Sequence, residues 1–260
     1  MKGDEVAAFW DANAVLWDKF RSKGYDTYRL VSFLNFKERL GSIRGQQLLD
    51  LGCGEGYNTR IFAKEGAKMI GVDISSNMIK CAREHEKREA LGIEYREADA
   101  TSLSFLENDS VDGVVSTLAV MDMPDILPVF QEAFRVVRPG GFFQFSVLHP
   151  IITSPAFERA FDEDGEKRGC VVGRYFQENS PSIQKWYFTA TSDEERRAHP
   201  PFKMPFFHRT LSTYFSLLKE SGFQVESLDE PRASQEVIEK EPKLYDTTIY
   251  PYFLIFRCLK

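Results

Sequence analysis

The sequence has little cysteine or histidine, no long apolar run and no excess of positive charge. Its four cysteines, Cys53, Cys81, Cys170 and Cys258, are too widely spaced for a CxxC zinc or redox pair. No apolar run reaches the roughly 18 residues a spanning helix needs, and the N-terminus lacks a signal-peptide layout. The expectation is a reduced, soluble, cytoplasmic protein with no membrane partner. Thirty-three Lys and Arg against thirty-nine Asp and Glu give a formal charge of −6. Such a balance offers phosphate backbones no general attraction and argues against a nucleic-acid partner, short of a local basic patch. What the 260 residues do hold is apolar mass: 43% are hydrophobic and 13% aromatic, with 22 Phe, 10 Tyr and 3 Trp. That length suits one large domain, alone or with a cover. The aromatic share raises the question of whether some rings line a ligand pocket.

Residues 1–46 read as helical, with Val6, Phe9, Trp10, Asn13, Leu16, Trp17 and Phe20 on one face. Gly24 ends that element, and a second helix is expected from about Asp26 to Leu40. From Gln47 the rhythm changes to short apolar runs alternating with helical patterns, up to the strand FFQFSVLH. This alternation implies parallel strands with crossover helices, hence a doubly wound α/β sheet. Residues 150–209 break it. They hold six of the twelve prolines and ten aromatic residues, so they read as an insertion across a sheet edge, too rich in large apolar groups for a linker. Residues 210–260 return to a helix and two strands, with a charged stretch from Ser234 to Lys243 between the strands.

The sharpest local feature is LLDLGCGEGYNTR, residues 48–60. Gly52, Gly54 and Gly56 bracket a tight strand-to-helix turn, where glycine tolerates positive φ and lets a ligand approach the backbone. Free N–H groups at a helix start mark a ligand site at the carboxyl edge of the sheet. The spacing is neither G-x-G-x-x-G nor a phosphate-binding loop ending in Lys-Ser/Thr. Asp50, just before the turn, would sit badly beside a pyrophosphate but would attract an ammonium or sulfonium. Asp73 follows Gly52 by 21 residues, a spacing suited to an acid accepting ribose hydroxyls; a helix N-cap is the competing reading. Asp99, after the third strand, suits an exocyclic adenine amine.

LLDLGCGEGYNTR, GVDISSNMI, EADA and FRVVRPGGFFQF resemble the successive motifs of class I S-adenosylmethionine-dependent methyltransferases. The resemblance implies a seven-stranded, mostly parallel, Rossmann-like sheet whose last strand inserts antiparallel. It implies S-adenosyl-L-methionine as cofactor and S-adenosyl-L-homocysteine as product. Gly52 and Gly54 then approach the methionine moiety, and Asp73 binds the ribose. Asp99 and Ala100 lie on the adenine side, Ile74 and Leu118 sandwich the ring, and Met78 joins the cofactor set. One methyltransferase domain, 1–260, would divide into a helical cover (1–46), a cofactor-binding core (47–149), a substrate-lid insertion (150–209) and closing elements (210–260).

Methyl transfer requires an acceptor held in line and protected from water, and a base only if the acceptor arrives protonated. His149, directly after the fifth strand, is the expected catalytic residue. Tyr28 and Arg29 could reach the methionine end if the first helices fold over the sheet edge. Trp10 and Trp17 read as packing residues. The acceptor is expected to meet Tyr175, Trp186, Phe207, His208 and Arg209, with Tyr187 and Phe206 as further wall candidates. Asp122 and Asp125 suggest a metal pair but lack a third ligand, so no metal is expected. The reading is methyl transfer to O or N of a small organic acceptor by a monomer or homodimer. A protein or RNA methyltransferase and a noncatalytic cofactor-binding protein are the alternatives.

Overall fold

The computed structural model describes residues 1–178 and 181–260. Seven strands form the central sheet: β1 (Gln47–Leu51), β2 (Lys68–Asp73), β3 (Glu94–Glu97), β4 (Val111–Thr117), β5 (Val137–Leu148), β10 (Gln224–Asp229) and β11 (Phe253–Leu259). Their order is β10-β11-β5-β4-β1-β2-β3. The pairs β1/β2, β2/β3, β1/β4 and β4/β5 are parallel, while β11 runs antiparallel to both β5 and β10. Strand order reverses between β1 and β4, so the crossovers diverge there and leave a crevice at the carboxyl ends of the strands.

The sheet is covered on both faces, as near-continuous apolar parallel strands require. Helix α5 (Leu127–Val136) and α7 (Leu211–Glu220) bury Phe130, Tyr214 and Leu218 against Phe143, Phe145 and Phe256. On the other face α2 (Arg29–Leu40), α3 (Tyr57–Lys64) and α4 (Ser76–Arg88) bury Phe36, Phe62 and Ile79 over Leu48 and Met69. Each fully buried Phe contributes about 1.5–3 kcal/mol relative to exposure. Helix α4 starts on a Ser75 cap, whose Oγ accepts from Met78 N at 3.1 Å.

Helix α1 (Gly3–Ser22) packs along α4. Asp11 ties it to α4 by accepting from Ser75 Oγ and Asn77 N at 2.6 and 2.9 Å, and Asn13 donates to the Lys203 carbonyl at 2.9 Å. The segment after β5 is more regular than its sequence suggests. It contains two antiparallel hairpins, β6 (Ala156–Phe161) with β7 (Lys167–Gly173) and β8 (Ser182–Trp186) with β9 (Phe202–Phe206), and the short helix α6 (Asp193–Ala198). Neither hairpin joins the main sheet. Burial does not alternate along the second hairpin, since β8 is exposed from Ser182 to Lys185 and β9 is buried except at Lys203. Phe20, Phe188 and Phe202 are fully buried together, with Trp17 and Trp186 packed against them. Another short helix, α8 (Gln235–Lys240), and a 3-10 helix (Pro242–Thr248) fill the charged stretch before β11. Among the described residues no helix is long and apolar enough to cross a membrane.

Candidate active site

A cavity of about 870 Å³ opens at the carboxyl ends of the parallel strands. Its floor is the loop after β1. Gly52, Gly54 and Gly56 all have positive φ, at 69°, 56° and 77°. At Gly52 a Cβ would stand 2.4 Å from the Ala119 Cβ, so the loop can meet the β4 loop this closely only without a side chain. At Gly54 a Cβ would meet nothing within 4 Å, leaving bare backbone toward the cavity.

Asp73, at the end of β2, holds this loop. Its Oδ2 accepts from Gly54 N at 2.8 Å and its Oδ1 from Ser75 N at 2.9 Å. Burial raises its pKa to about 6 against these two hydrogen bonds, and the nearby charges of Glu55 and Asp11 add to the rise. Beyond it lie Ile74, Met78, Asp99, Ala100 and Leu118, all cavity-lining. Asp99 uses Oδ1 to accept from Thr101 N and Oγ1 at 2.9 and 2.8 Å, while its Oδ2 lies 3.2 Å from where a Gly3 Cβ would stand. Leu118 is held at φ 53°, costly for a non-glycine residue, with its N–H donating to the Ser146 carbonyl at 3.0 Å. The β4 pattern therefore ends at Thr117, and Val120–Asp122 turn as a 3-10 helix.

The far wall comes from α1, α2 and the second hairpin. Trp10 and Trp17 line the cavity together with Trp186, Tyr187, Phe188 and Phe206. Trp17 packs edge-on against Trp10 and Trp186, with ring centroids at 5.2 and 5.6 Å. The two helix tryptophans therefore both pack and face the cavity; their sequence spacing showed the shared face but not what lay opposite. Tyr28 lines the cavity and stacks on Tyr252 at 5.3 Å. Arg29 lies over the Tyr57 ring at 4.4 Å and donates to Tyr57 Oη and Asn58 Oδ1 at 3.2 and 3.4 Å. Its Nε is buried without a partner among the described residues.

Six residues expected at the site do not line this cavity. Asp50 is 1% exposed beneath the glycine loop and accepts from Thr59 Oγ1 at 2.6 Å, outside the cavity lining. His149 does not line the cavity either. Its Nε2 meets Glu230 at 3.0 Å and its Nδ1 accepts from Ile151 N, and burial lowers its pKa despite Glu230. The side chain points off the strand end toward the β10 loop, so position after β5 was a poor guide to direction. Tyr175 accepts from Leu211 N at 3.0 Å and sits by a separate shallow depression. His208 is bonded at both ring nitrogens, to Thr153 Oγ1 and the Tyr175 carbonyl, at 3.0 and 2.8 Å. Phe207 donates its N–H to the Met121 carbonyl and is absent from the lining. Arg209 donates to the carbonyls of Met123 and Pro124 at 2.6 and 2.9 Å, clamping the β4 loop instead of facing a ligand.

Asp122, raised in sequence only as half of a discarded metal pair, takes a place in the cavity wall. It is 3% exposed, with Oδ1 unpartnered among the described residues. Asp125 lines the same cavity but is exposed, and accepts from Leu127 N at the start of α5.

Comparison with known proteins accords with this geometry. Residues 49–145 match a family described as "Methyltransferase domain". The demethylmenaquinone methyltransferase of Lactococcus lactis is 33% identical over 191 residues, covering 68% of this chain and 73% of the relative. A ubiquinone biosynthesis O-methyltransferase of Methylococcus capsulatus is 31% identical, over 45% of this chain and about half of its own length, 49%. The crystal structure of an S-adenosylmethionine dependent methyltransferase from Mesorhizobium loti superimposes with a TM-score of 0.73 at 28% identity, covering 88% of this chain and 97% of that one. With the sheet order, the glycine loop and the acid after β2, these matches make the chain a member of the class I S-adenosylmethionine-dependent methyltransferases.

Proposed function

We propose that this enzyme transfers the methyl group to an oxygen or nitrogen atom of a small, ring-bearing organic acceptor by direct in-line displacement. The observation that carries the reading is a single cavity running from the glycine loop to an aromatic wall. Its 870 Å³ is near the top of the roughly 300–1,000 Å³ range of ligand pockets, which leaves space for an acceptor beside the cofactor. An enclosed aromatic wall suits a small flat molecule better than a polypeptide or RNA, which would need an open groove. The relatives named for demethylmenaquinone and ubiquinone biosynthesis favour a quinone-type or phenolic ring.

The residues present fit the cofactor. Gly54 offers bare backbone, Asp73 offers carboxylate lone pairs for ribose hydroxyls, and Ile74 and Leu118 offer apolar surfaces for a purine. The Arg29 guanidinium, which lines the cavity, suits the amino-acid carboxylate. Bound there, S-adenosylmethionine supplies a methyl group made electrophilic by its sulfonium. The chain's own work is then to orient the acceptor and exclude water, and α1 and the second hairpin provide that cover. Calorimetry with S-adenosylmethionine should show saturable binding that Asp73→Ala impairs. Mass-spectrometric screening of cell extract should then find a product gaining one methyl group only when protein and cofactor are both present. A folded protein that binds no cofactor at millimolar concentration would sink the proposal.

A further inference from the structure

Asp122 is a buried carboxylate whose Oδ1 has no hydrogen-bond partner among the described residues. It ends the 3-10 turn after β4, in the cavity wall next to the loop that meets Gly52. The nearest cationic influence is Arg209, yet that guanidinium gives its hydrogen bonds to the carbonyls of Met123, Pro124 and Phe207. Arg209 therefore holds the turn in place and attracts the carboxylate only through space. From the other side Asp73 repels it, and the Tyr214 phenol on α7 lies within its field. A carboxylate placed this way is costly to keep unless something donates a hydrogen bond to it. The residue lines the cavity, where a bound molecule can supply one.

We propose that Asp122 is the proton acceptor of the reaction, and that the methyl acceptor is accordingly a molecule presenting a hydroxyl group, of the phenol or enol class, to this carboxylate. The proposal rests on the methyltransferase reading of the cavity and names its substrate class. In each turnover the acceptor oxygen forms a bond to the methyl carbon as the sulfur–methyl bond breaks, and the bonding pair stays on sulfur. The hydroxyl proton passes to Asp122 and from there to solvent after product leaves. Desolvation pushes the Asp122 carboxyl well above its ordinary range, with repulsion from Asp73 adding to it and Arg209 opposing. That makes it a stronger base than an exposed aspartate, better matched to a phenol. An anionic acceptor would be repelled by both acids, so a neutral hydroxyl is favoured.

The test uses the whole protein, wild type and Asp122→Asn, with catechol, 1-naphthol and 4-nitrocatechol as probes. Calorimetry with S-adenosylmethionine comes first; unchanged affinity shows that the variant is folded with its glycine loop intact. Methylated product is then followed by mass spectrometry. For catechol and 1-naphthol, hydroxyls with pKa values of about 10, kcat should fall about 100-fold or more with KM little changed. For 4-nitrocatechol, which ionises unaided near neutral pH, the loss should be much smaller. A second readout needs no turnover. With S-adenosylhomocysteine bound, visible absorbance should show the wild type raising the ionisation midpoint of bound 4-nitrocatechol by about 1–3 pH units, and Asp122→Asn abolishing that rise.

Unchanged kcat in Asp122→Asn, or an equal loss on all three probes, overturns the proton-acceptor role. A wild type that binds S-adenosylmethionine but neither binds nor methylates any of the phenols overturns the hydroxyl class while leaving the methyltransferase reading standing. Failure to bind S-adenosylmethionine would instead remove that reading. Should Asp122→Asn not fold, the wild-type pH profile on catechol decides. A rising limb in kcat is expected, and a flat profile overturns the role.

Discussion

Replacing Asp50 with Asn should alter stability by an amount that depends on pH, and the dependence follows from the site. Asp50 is 1% exposed, accepts one hydrogen bond from Thr59 and leaves Oδ1 unpartnered among the described residues. Burial raises its pKa from 3.8 to about 7, against the Thr59 hydrogen bond and with help from the charges of Asp73 and Glu55. A carboxyl whose folded pKa lies above its unfolded value stabilises the fold through its protonated form. That contribution is fully present below the unfolded value and is lost as pH rises through the folded one. From pH 5 to pH 8 the loss is about 2–3 kcal/mol, since roughly two pH units lie below the folded value at about 1.4 kcal/mol each. Asparagine does not titrate. Whatever fixed penalty its amide brings, the variant should therefore gain about 2–3 kcal/mol on wild type between pH 5 and pH 8. Urea denaturation at both pH values, followed by far-ultraviolet circular dichroism, measures this difference. A relative stability constant within about 0.5 kcal/mol, well under the worked change, would refute the desolvated-carboxylate reasoning.

Other outcomes follow from neighbouring contacts. If Asp73 accepts the ribose hydroxyls in its ionised form, S-adenosylmethionine affinity should fall as pH drops below about 6, which calorimetry at pH 5 and 7.5 would detect. Asp73→Ala should weaken binding about 100-fold or more, for the loss of charge-assisted hydrogen bonds worth about 1.5–3 kcal/mol each. Gly52→Ala combines a left-handed φ with a methyl 2.4 Å from Ala119 Cβ, and should destabilise by about 2–5 kcal/mol; a urea midpoint unmoved from wild type would contradict it. All three tryptophans line the cavity, so ligand titration should shift their fluorescence, and an unchanged spectrum at calorimetric saturation would count against the cavity assignment. His149→Ala should leave kcat within about twofold, because its ring is engaged with Glu230 and Ile151 outside the cavity.

What could be read from sequence was whatever the backbone imposes. A glycine turn after an apolar strand and acids at the ends of β2 and β3 have fixed places in a doubly wound sheet, so Gly52, Gly54, Asp73 and Asp99 emerged from spacing and all line the cavity. Side-chain direction at a strand end is another matter. His149 and Arg209 lie close in sequence to cavity residues, Leu148 and Phe206, yet turn to Glu230 and to the β4 loop carbonyls. Asp122 drew notice in sequence only as half of a metal pair with Asp125; its place in the cavity wall and its unpartnered Oδ1 appear only in three dimensions. The hairpins of residues 156–206 escaped notice because two-stranded ribbons packed on rings lack the regular alternation of a larger sheet.

The aromatic wall and the glycine loop share no residue and no strand. Trp10 and Trp17 come from a helix ahead of the sheet, and Trp186 and Phe188 from a ribbon inserted after β5 that makes no strand pairing with it. The two ends of the cavity are therefore built by separate parts of the chain. The ribbon can be lengthened, shortened or recoloured by substitution while the donor half stays as it is. Such a layout lets the far wall of the cavity change without touching the strand pairing of the sheet.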